Sequence, residues 1–344
     1  MKFIHLSDLH LGIPLNEHRF STKDAHLTRR LELEDAFFNV IQKATDVDAI
    51  LISGDTFDKD GIKAYYIDRF IKAAEKSSVP IIMIAGNHDD FILDESYGER
   101  FQTGSLTLLT KHTPSVVINE TEIIGFSTLD FDLDAIKKLK KASTAKHQIL
   151  LAHGDVLSKK DRYYLTDVKT LESLGFDYIG LGHIHKHQFL NPNIAYAGNL
   201  EPFDFSERGD KGYILGDLEK KTFTFKRHAK RAYHKLKLTV SDTDDSNAIY
   251  EKVNAEIPSD ADMIRLVLKG DKPLVGEPLE NLKTRLESKY FAVEIEDERK
   301  PSKDLNTLKA EYPESLVEVL IDEADDDDAL ALALEALMES EGAS

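Results

Sequence analysis

Five short clusters hold the side chains of this chain that could do chemistry: Asp8-Leu9-His10, Gly54-Asp55-Thr56-Phe57-Asp58, Gly86-Asn87-His88-Asp89, His153-Gly154-Asp155 and Gly182-His183-Ile184-His185. Each follows an apolar run and offers oxygen or imidazole donors. Cutting a phosphate ester requires a nucleophile at neutral pH, neutralised non-bridging oxygens and help for the leaving oxygen, and two cations about 3.5–4 Å apart supply all three. Such a pair needs a bridging carboxylate surrounded by imidazoles and carbonyl oxygens, and Asp55 is the bridging candidate. A single Asp-x-His or Gly-Asp is an ordinary turn; five in order, each after a buried run, are not explained as turns. Lone histidines such as His5, His112 and His147 read as satisfied core or surface groups.

The donor types narrow the metal. Four His, two Asp and one Asn suit manganese or iron, with zinc as an alternative, whereas oxygen donors alone would favour magnesium or calcium. The chain has no cysteine, which excludes disulfides, thiolate metal sites and a cysteine nucleophile. The spacing in Asp8/His10 and His183/His185 puts both members of a pair on one side of an extended segment.

These side chains need strand ends to carry them. Residues 2–7, 49–53 and 79–85 are predicted strands, and 28–44 and 62–76 predicted helices between them, on their apolar spacing. This βαβαβ order places the donors at successive strand C-termini, where open α/β sheets keep their sites. Further on, 116–118 and 122–127 read as an antiparallel pair, 132–142 as a helix, and 148–152 and 178–181 as strands leading into His153 and His183. Alternation over 212–218 and 221–228 predicts a hairpin that finishes a second sheet. A β-α-β-α-β order over 235–240, 248–255, 263–269, 279–289 and 291–295 predicts a small α+β domain. The expected plan is therefore 1–230 for the catalytic domain, 231–300 for a small capping or DNA-binding domain, and 301–344 for an acidic linker and amphipathic helical tail. No apolar run reaches the roughly 20 residues of a membrane helix, and the N-terminus enters a strand pattern directly, so a cytoplasmic protein without a membrane partner is expected.

The net charge is −18, but residues 311–344 carry 12 acids and no Lys or Arg, leaving −6 for the remainder. Against that background, Lys220, Lys221, Lys226, Arg227, Lys230, Arg231, Lys235 and Lys237 form a stretch without an acid, interleaved with Phe223, Phe225 and Tyr233. Such a stripe can follow a phosphate backbone or guard an exposed hairpin edge against pairing. Lys159, Lys160, Arg162, Lys186 and Arg208 lie in loops near the motifs. In the tail, Leu330, Leu334, Leu337 and Met338 share one helical face, and Leu316, Val317 and Leu320 another; these faces pack on their own domain or on a partner.

Asp8-x-His10, Gly54-Asp55-x-x-Asp58, Gly86-Asn87-His88-Asp89, His153 and Gly182-His183-x-His185 resemble, in type and order, the five motifs of the calcineurin-like metallophosphoesterases. The resemblance covers about residues 1–230. The opening Ile4-His5-Leu6-Ser7-Asp8-Leu9-His10-Leu11-Gly12 and the stretch Tyr196-Ala197-Gly198-Asn199-Leu200-Glu201-Pro202, with Glu207 and Lys211-Gly212-Tyr213 after it, are similar more narrowly to the SbcD-type exonucleases of DNA repair. Ala197 and Asn199 depart from that narrower pattern.

The resemblance implies an α/β fold, a two-sheet metallophosphoesterase sandwich flanked by helices. It implies two divalent cations, manganese before iron or zinc: one held by Asp8, His10 and His185, the other by Asn87, His153 and His183, with Asp55 bridging. His88 would contact the phosphate or protonate the leaving oxygen, with Asp58 holding its ring. The implied activity is an exonuclease or endonuclease at DNA ends, partnered by an SbcC-type coiled-coil ATPase gripped through the C-terminal helical segment, with a second copy of the chain as a further partner. Two rivals are a small-molecule or nucleotide phosphodiesterase or phosphatase with the same metal donors, and a weakly active scaffold that binds DNA ends.

Overall fold

Along the short apolar strands, successive residues enter different cores, and this builds two facing sheets. In β1 (Lys2–Leu6), Phe3 enters the core between the sheets while Ile4 and Leu6 enter the core under the helices. The computed structural model describes residues 1–16, 20, 22–59, 63–241, 244–272, 279–301 and 316–323. It divides into one unit of Met1–Glu17 with His26–Ala232 and another of His18–Ala25 with Tyr233–Ser344.

In the first unit, β1 is followed by α1 (Lys23–Lys43, of which Lys23–Ala25 count with the second unit), β2 (Ala49–Ser53), α2 (Ala64–Glu75), β3 (Ile81–Ile84), the single turn α3 (Glu95–Gly98), β4 (Gln102–Thr103) and β5 (Leu106–Leu108). Next come β6 (Ser115–Ile118), β7 (Thr121–Phe126), α4 (Leu133–Ala142), β8 (His147–His153), α5 (Val168–Leu174), β9 (Tyr178–Gly182), β10 (Gln188–Asn191), β11 (Ile194–Tyr196), β12 (Gly212–Asp217) and β13 (Thr222–Arg227). One sheet has the order β13-β12-β1-β2-β3-β5-β4, the other β10-β11-β9-β8-β7-β6. Strands β1, β2, β3 and β5 run parallel, as do β7, β8, β9 and β11. Phe3, Leu51, Ile82 and Ile84 of the first sheet meet Ile123, Ile149, Leu151 and Tyr178 of the second. Phe37 and Val40 of α1 with Phe70 and Ile71 of α2 cover the outer face of the first; Ile136 of α4 and Leu171 of α5 cover the second. The result is a four-layered α/β sandwich.

Two expectations change. The β12–β13 hairpin joins the first sheet through antiparallel pairing of β12 with β1, not the second. Its alternation allows this because Ile214 faces the inter-sheet core while Leu215 packs toward the helices. Helix α1 also starts at Lys23 rather than at 28, where Thr22 Oγ1 accepts from Ala25 N at 3.0 Å as an N-cap.

In the second unit, β14 (Tyr233–Val240), α6 (Ser246–Glu256), β15 (Met263–Lys272), α7 (Leu279–Lys289) and β16 (Ala292–Asp297) precede the two-residue β17 (Lys300–Pro301) and α8 (Leu316–Glu323). Strands β14, β15 and β16 alternate with α6 and α7 in the expected β-α-β-α-β order and run parallel to one another. Ile264, Leu266, Leu268 and Val293 pack against Val253, Leu282 and Leu286 of its helices. Leu330, Leu334, Leu337 and Met338 lie outside the described residues. Among the described residues, no helix is long and apolar enough to cross a membrane.

Candidate metal centre

Each donor cluster sits where a strand stops. β1 ends two residues before Asp8, β2 two before Asp55, and β9 immediately before His183; His153 is the last residue of β8. Asp8, His10, Asp55 and His183 all have positive φ, at 53°, 44°, 50° and 100°. Non-glycine residues held there cost about 1–3 kcal/mol each and mark positions that the surroundings over-determine. The convergence of Asp8 with His10 therefore comes from left-handed turns, not from the extended alternation expected. Main-chain bonds lock the turns together: Asp8 N donates to Gly54 O at 3.1 Å and His10 N to Asp55 O at 3.0 Å. A Cβ on Gly86 would lie 2.1 Å from Asp55 Oδ1, so only glycine lets that turn pass the carboxylate.

The seven donors come together. His10 Nε2 faces His185 Nε2 at 3.1 Å, and Asp8, His10 and His185 form one compact donor group. His153 Nε2 lies 3.0 Å from Asn87 Oδ1 and 3.2 Å from Asp55 Oδ2. Asn87 Oδ1 is also 3.1 Å from His183 Nδ1. Asp55 belongs to groups on both sides, with Asp8 and His153 and with His10 and His88.

Each imidazole has one nitrogen in this cluster and the other anchored outside it. His10 Nδ1 meets Asp58 Oδ2 at 3.2 Å, His153 Nδ1 donates to Ser53 O at 2.8 Å, His185 Nδ1 meets Glu207 Oε1, and His183 Nε2 is 3.5 Å from Asp161 Oδ1. Donation to a carboxylate or carbonyl leaves the inward nitrogens of His10, His153 and His185 as lone pairs. They face one another, two carboxylates and an amide oxygen, and among the described residues buried Asp8 Oδ2 has no hydrogen-bond partner. Main-chain N–H groups of His183 and His88 satisfy Asp8 Oδ1 and Asp55 Oδ1, but the remaining inward lone pairs repel one another unless a positive charge sits among them, so the residues fit divalent cations held by nitrogen and oxygen. Without a cation, the charge falls on the rings. Burial alone would lower His153, but the Asp55 carboxylate and then Asp8 lift it to about 9. Burial would likewise raise Asp55, yet His153 and His10 hold it below the usual carboxylate range.

His88 lies at the rim, its side chain 40% exposed, with its main-chain N–H donating to Asp55 Oδ1 at 2.8 Å. Asp58, expected to hold the His88 ring, is 3.7 Å from His88 Nδ1 and closer to His10. Asp89, next to His88 in its motif but outside the expected donor set, has a structural task. Its Oδ1 accepts from Gly86 N at 2.6 Å and its Oδ2 from Thr56 N at 2.7 Å, stapling the turns after β2 and β3. Burial and then the Asp55 charge push its carboxyl up to about 7. Glu207, beside His185, stood in the sequence only as part of the narrower resemblance and without a role, and Asp161, beside His183, had no local signal beyond being an acid in a loop.

The basic stripe is only partly available. Lys220, Lys221, Lys226 and Lys230 are exposed, and β13 is the edge strand of its sheet. Arg227 pairs with Asp210 at 3.3 Å. Arg231 is withdrawn into a largely buried pair with Glu32, at 2.8 and 2.9 Å, because Glu32 on α1 is out of water and needs its charge balanced. It is thus removed from the expected phosphate contacts.

A model of the calcineurin-like phosphoesterase family matches residues 1–187. An uncharacterized metallophosphoesterase of Bacillus subtilis, YhaO, is 26% identical over 335 residues, covering 87% of this chain and 79% of its own. The SbcD subunit of the SbcCD nuclease of Staphylococcus saprophyticus is 28% identical over 330 residues, covering 82% of each. Among solved structures, TT1561 of Thermus thermophilus aligns with a TM-score of 0.44 at 14% identity, over 66% of this chain and 98% of its own.

Proposed function

The chain belongs to the calcineurin-like phosphoesterase family, and from this premise we propose that it is a metal-dependent phosphodiesterase acting on DNA ends, the nuclease partner of an SbcC-type coiled-coil ATPase. The observation that carries the hydrolytic reading is the convergence of buried Asp8, His10, Asp55 and His153 with half-buried Asn87, His183 and His185. The similarity to a nuclease subunit over 82% of each chain supports DNA as the substrate.

In this reading Asp8, His10 and His185 hold one cation, Asn87, His153 and His183 the other, and Asp55 bridges; manganese fits the donor set, as do iron and zinc. Two divalent cations there supply Lewis acidity toward the phosphate and lower the pKa of bound water. The chain's own groups do the rest. His88, fixed by its N–H to Asp55 with its ring half in solvent, is placed to touch the phosphate and hand a proton to the leaving oxygen. The exposed Lys159, Lys160, Arg162, Lys186 and Arg208 follow the strand ends that carry the site and can meet a phosphate backbone.

With manganese, the full-length protein should release nucleotides from linear duplex DNA and little product from cyclic nucleotides or p-nitrophenyl phosphate. The reverse preference would replace the DNA reading with a small phosphodiester one, which the engagement of Arg227 and Arg231 by Asp210 and Glu32 favours. Removing the residues after Pro313 should spare cleavage and abolish co-purification with the ATPase; undiminished co-purification would refute the partner role of the tail.

A further inference from the structure

Glu207 stands outside all five donor clusters, yet its carboxylate is one bond away from the centre. Its Oε1 takes Nδ1 of His185; its Oε2 accepts from Asn199 Nδ2 at 2.6 Å and Phe203 N at 3.1 Å, and lies 3.2 Å from Lys211 Nζ. The Lys211 side chain, only 2% exposed, also donates to the carbonyl oxygen of His185 at 2.8 Å. One largely buried carboxylate–ammonium pair therefore grips His185 at both ring and main chain. The loop bearing Glu207 is fixed in turn, since Glu201 accepts from buried Arg29 at 2.8 Å and Phe203 packs its ring edge-to-face on His185 and His10.

Desolvating such a pair is expensive, so it is weak evidence for stability. Its geometry speaks instead for aim. An imidazole that ligates through Nε2 works only if Nδ1 carries the proton and the ring cannot turn, and a carboxylate on Nδ1 imposes both. We infer that Glu207, set by Lys211 and Asn199, is the positioning residue that fixes the tautomer and direction of His185 toward the cation shared with Asp8 and His10. This rests on the metal-centre reading above.

The test titrates the chelator-stripped full-length protein with manganese by calorimetry. The native protein should bind in two steps. In Glu207→Gln, and in Glu207→Asp as a second variant should the first not fold, one step should weaken about ten- to a hundredfold while the other is unchanged. His185→Ala should weaken the same step, and adding Glu207→Gln to it should weaken it no further, because a residue acting only through His185 has nothing left to act on. Both steps unchanged, equal loss of both, or full additivity in the double variant would each overturn the role of Glu207. A native protein that binds no manganese would overturn the metal-centre reading itself.

Discussion

The carboxylate of Asp58 meets Nδ1 of His10 at 3.2 Å, while the other nitrogen of that ring faces Nε2 of His185 at 3.1 Å. Asp58 therefore holds the ring that His10 turns toward His185, and its approach to His88, at 3.7 Å, is the longer one. Asp58→Asn should weaken manganese binding about ten- to a hundredfold in addition to slowing turnover. Direct titration of metal decides it: a variant with native affinity and a lower rate would return Asp58 to the service of His88.

His88 and Asp55 should separate cleanly. His88 hydrogen-bonds Asp55 through its main-chain N–H and keeps its ring at the rim, 40% exposed with a ring nitrogen within 4.8 Å of donor atoms of Asp55 and His10, whereas Asp55 faces His153 and His10 at 3.2 and 3.8 Å. His88→Ala should retain both cations and lose about 10²–10⁴ in turnover. Asp55→Ala should lose both cations, and exhaustive chelation of the native protein should reproduce its inactivity. Equal metal loss in the two variants contradicts this division.

The arginines of α1 and the 229–232 segment should act on stability rather than on DNA. Arg29 is fully buried and bonds Glu201, Glu32 and the carbonyl of Pro202; Arg231 closes the network on Glu32. Removing one member strands a buried carboxylate, so Arg29→Ala should lower unfolding free energy by about 3–5 kcal/mol, read from urea denaturation. Arg231→Ala should also destabilise while leaving the salt dependence of DNA binding intact. Lys226→Ala, on the exposed edge strand, should leave stability alone and reduce the log-log salt slope by about 1. A flat response for Lys226 and a steep one for Arg231 would reverse the assignment.

The seven donors were legible because each lies within a few residues of a buried strand, so local sequence carries both donor and support. The reason they converge was not: Asp8, His10, Asp55 and His183 reach the site through left-handed backbone, which no side-chain periodicity encodes. Glu207, Asp161 and Arg231 were illegible as anchors because their partners are 22, 22 and 199 residues away along the chain. Only tertiary closure tells a buried, paired charge from a solvated one. The hairpin was legible as a hairpin, but its amphipathic strands suited either sheet, and only its pairing with β1 settles which.

His5 offers a test of the core that is independent of catalysis. It is fully buried between the sheets, its Nδ1 2.9 Å from Tyr178 Oη and its Nε2 2.9 Å from Ser53 Oγ, and burial drives its pKa down to about 3. In the unfolded chain the ring titrates near the ordinary value of about 6.5. The folded value is the lower one, so the unfolded state binds the extra proton: stability is complete above about pH 6.5 and falls as pH drops toward 3. Between pH 7 and pH 5 this single group should remove about 2 kcal/mol. His5→Gln should be less stable than the native protein at pH 7, through lost packing and polar contacts, and the gap should narrow by about that amount at pH 5. Urea midpoints with chelator present at both pH values measure it; a gap independent of pH would mean that His5 titrates in the fold as it does in the unfolded chain, and a gap that widens at pH 5 that it gains its proton more readily in the fold, either of which refutes the buried neutral ring.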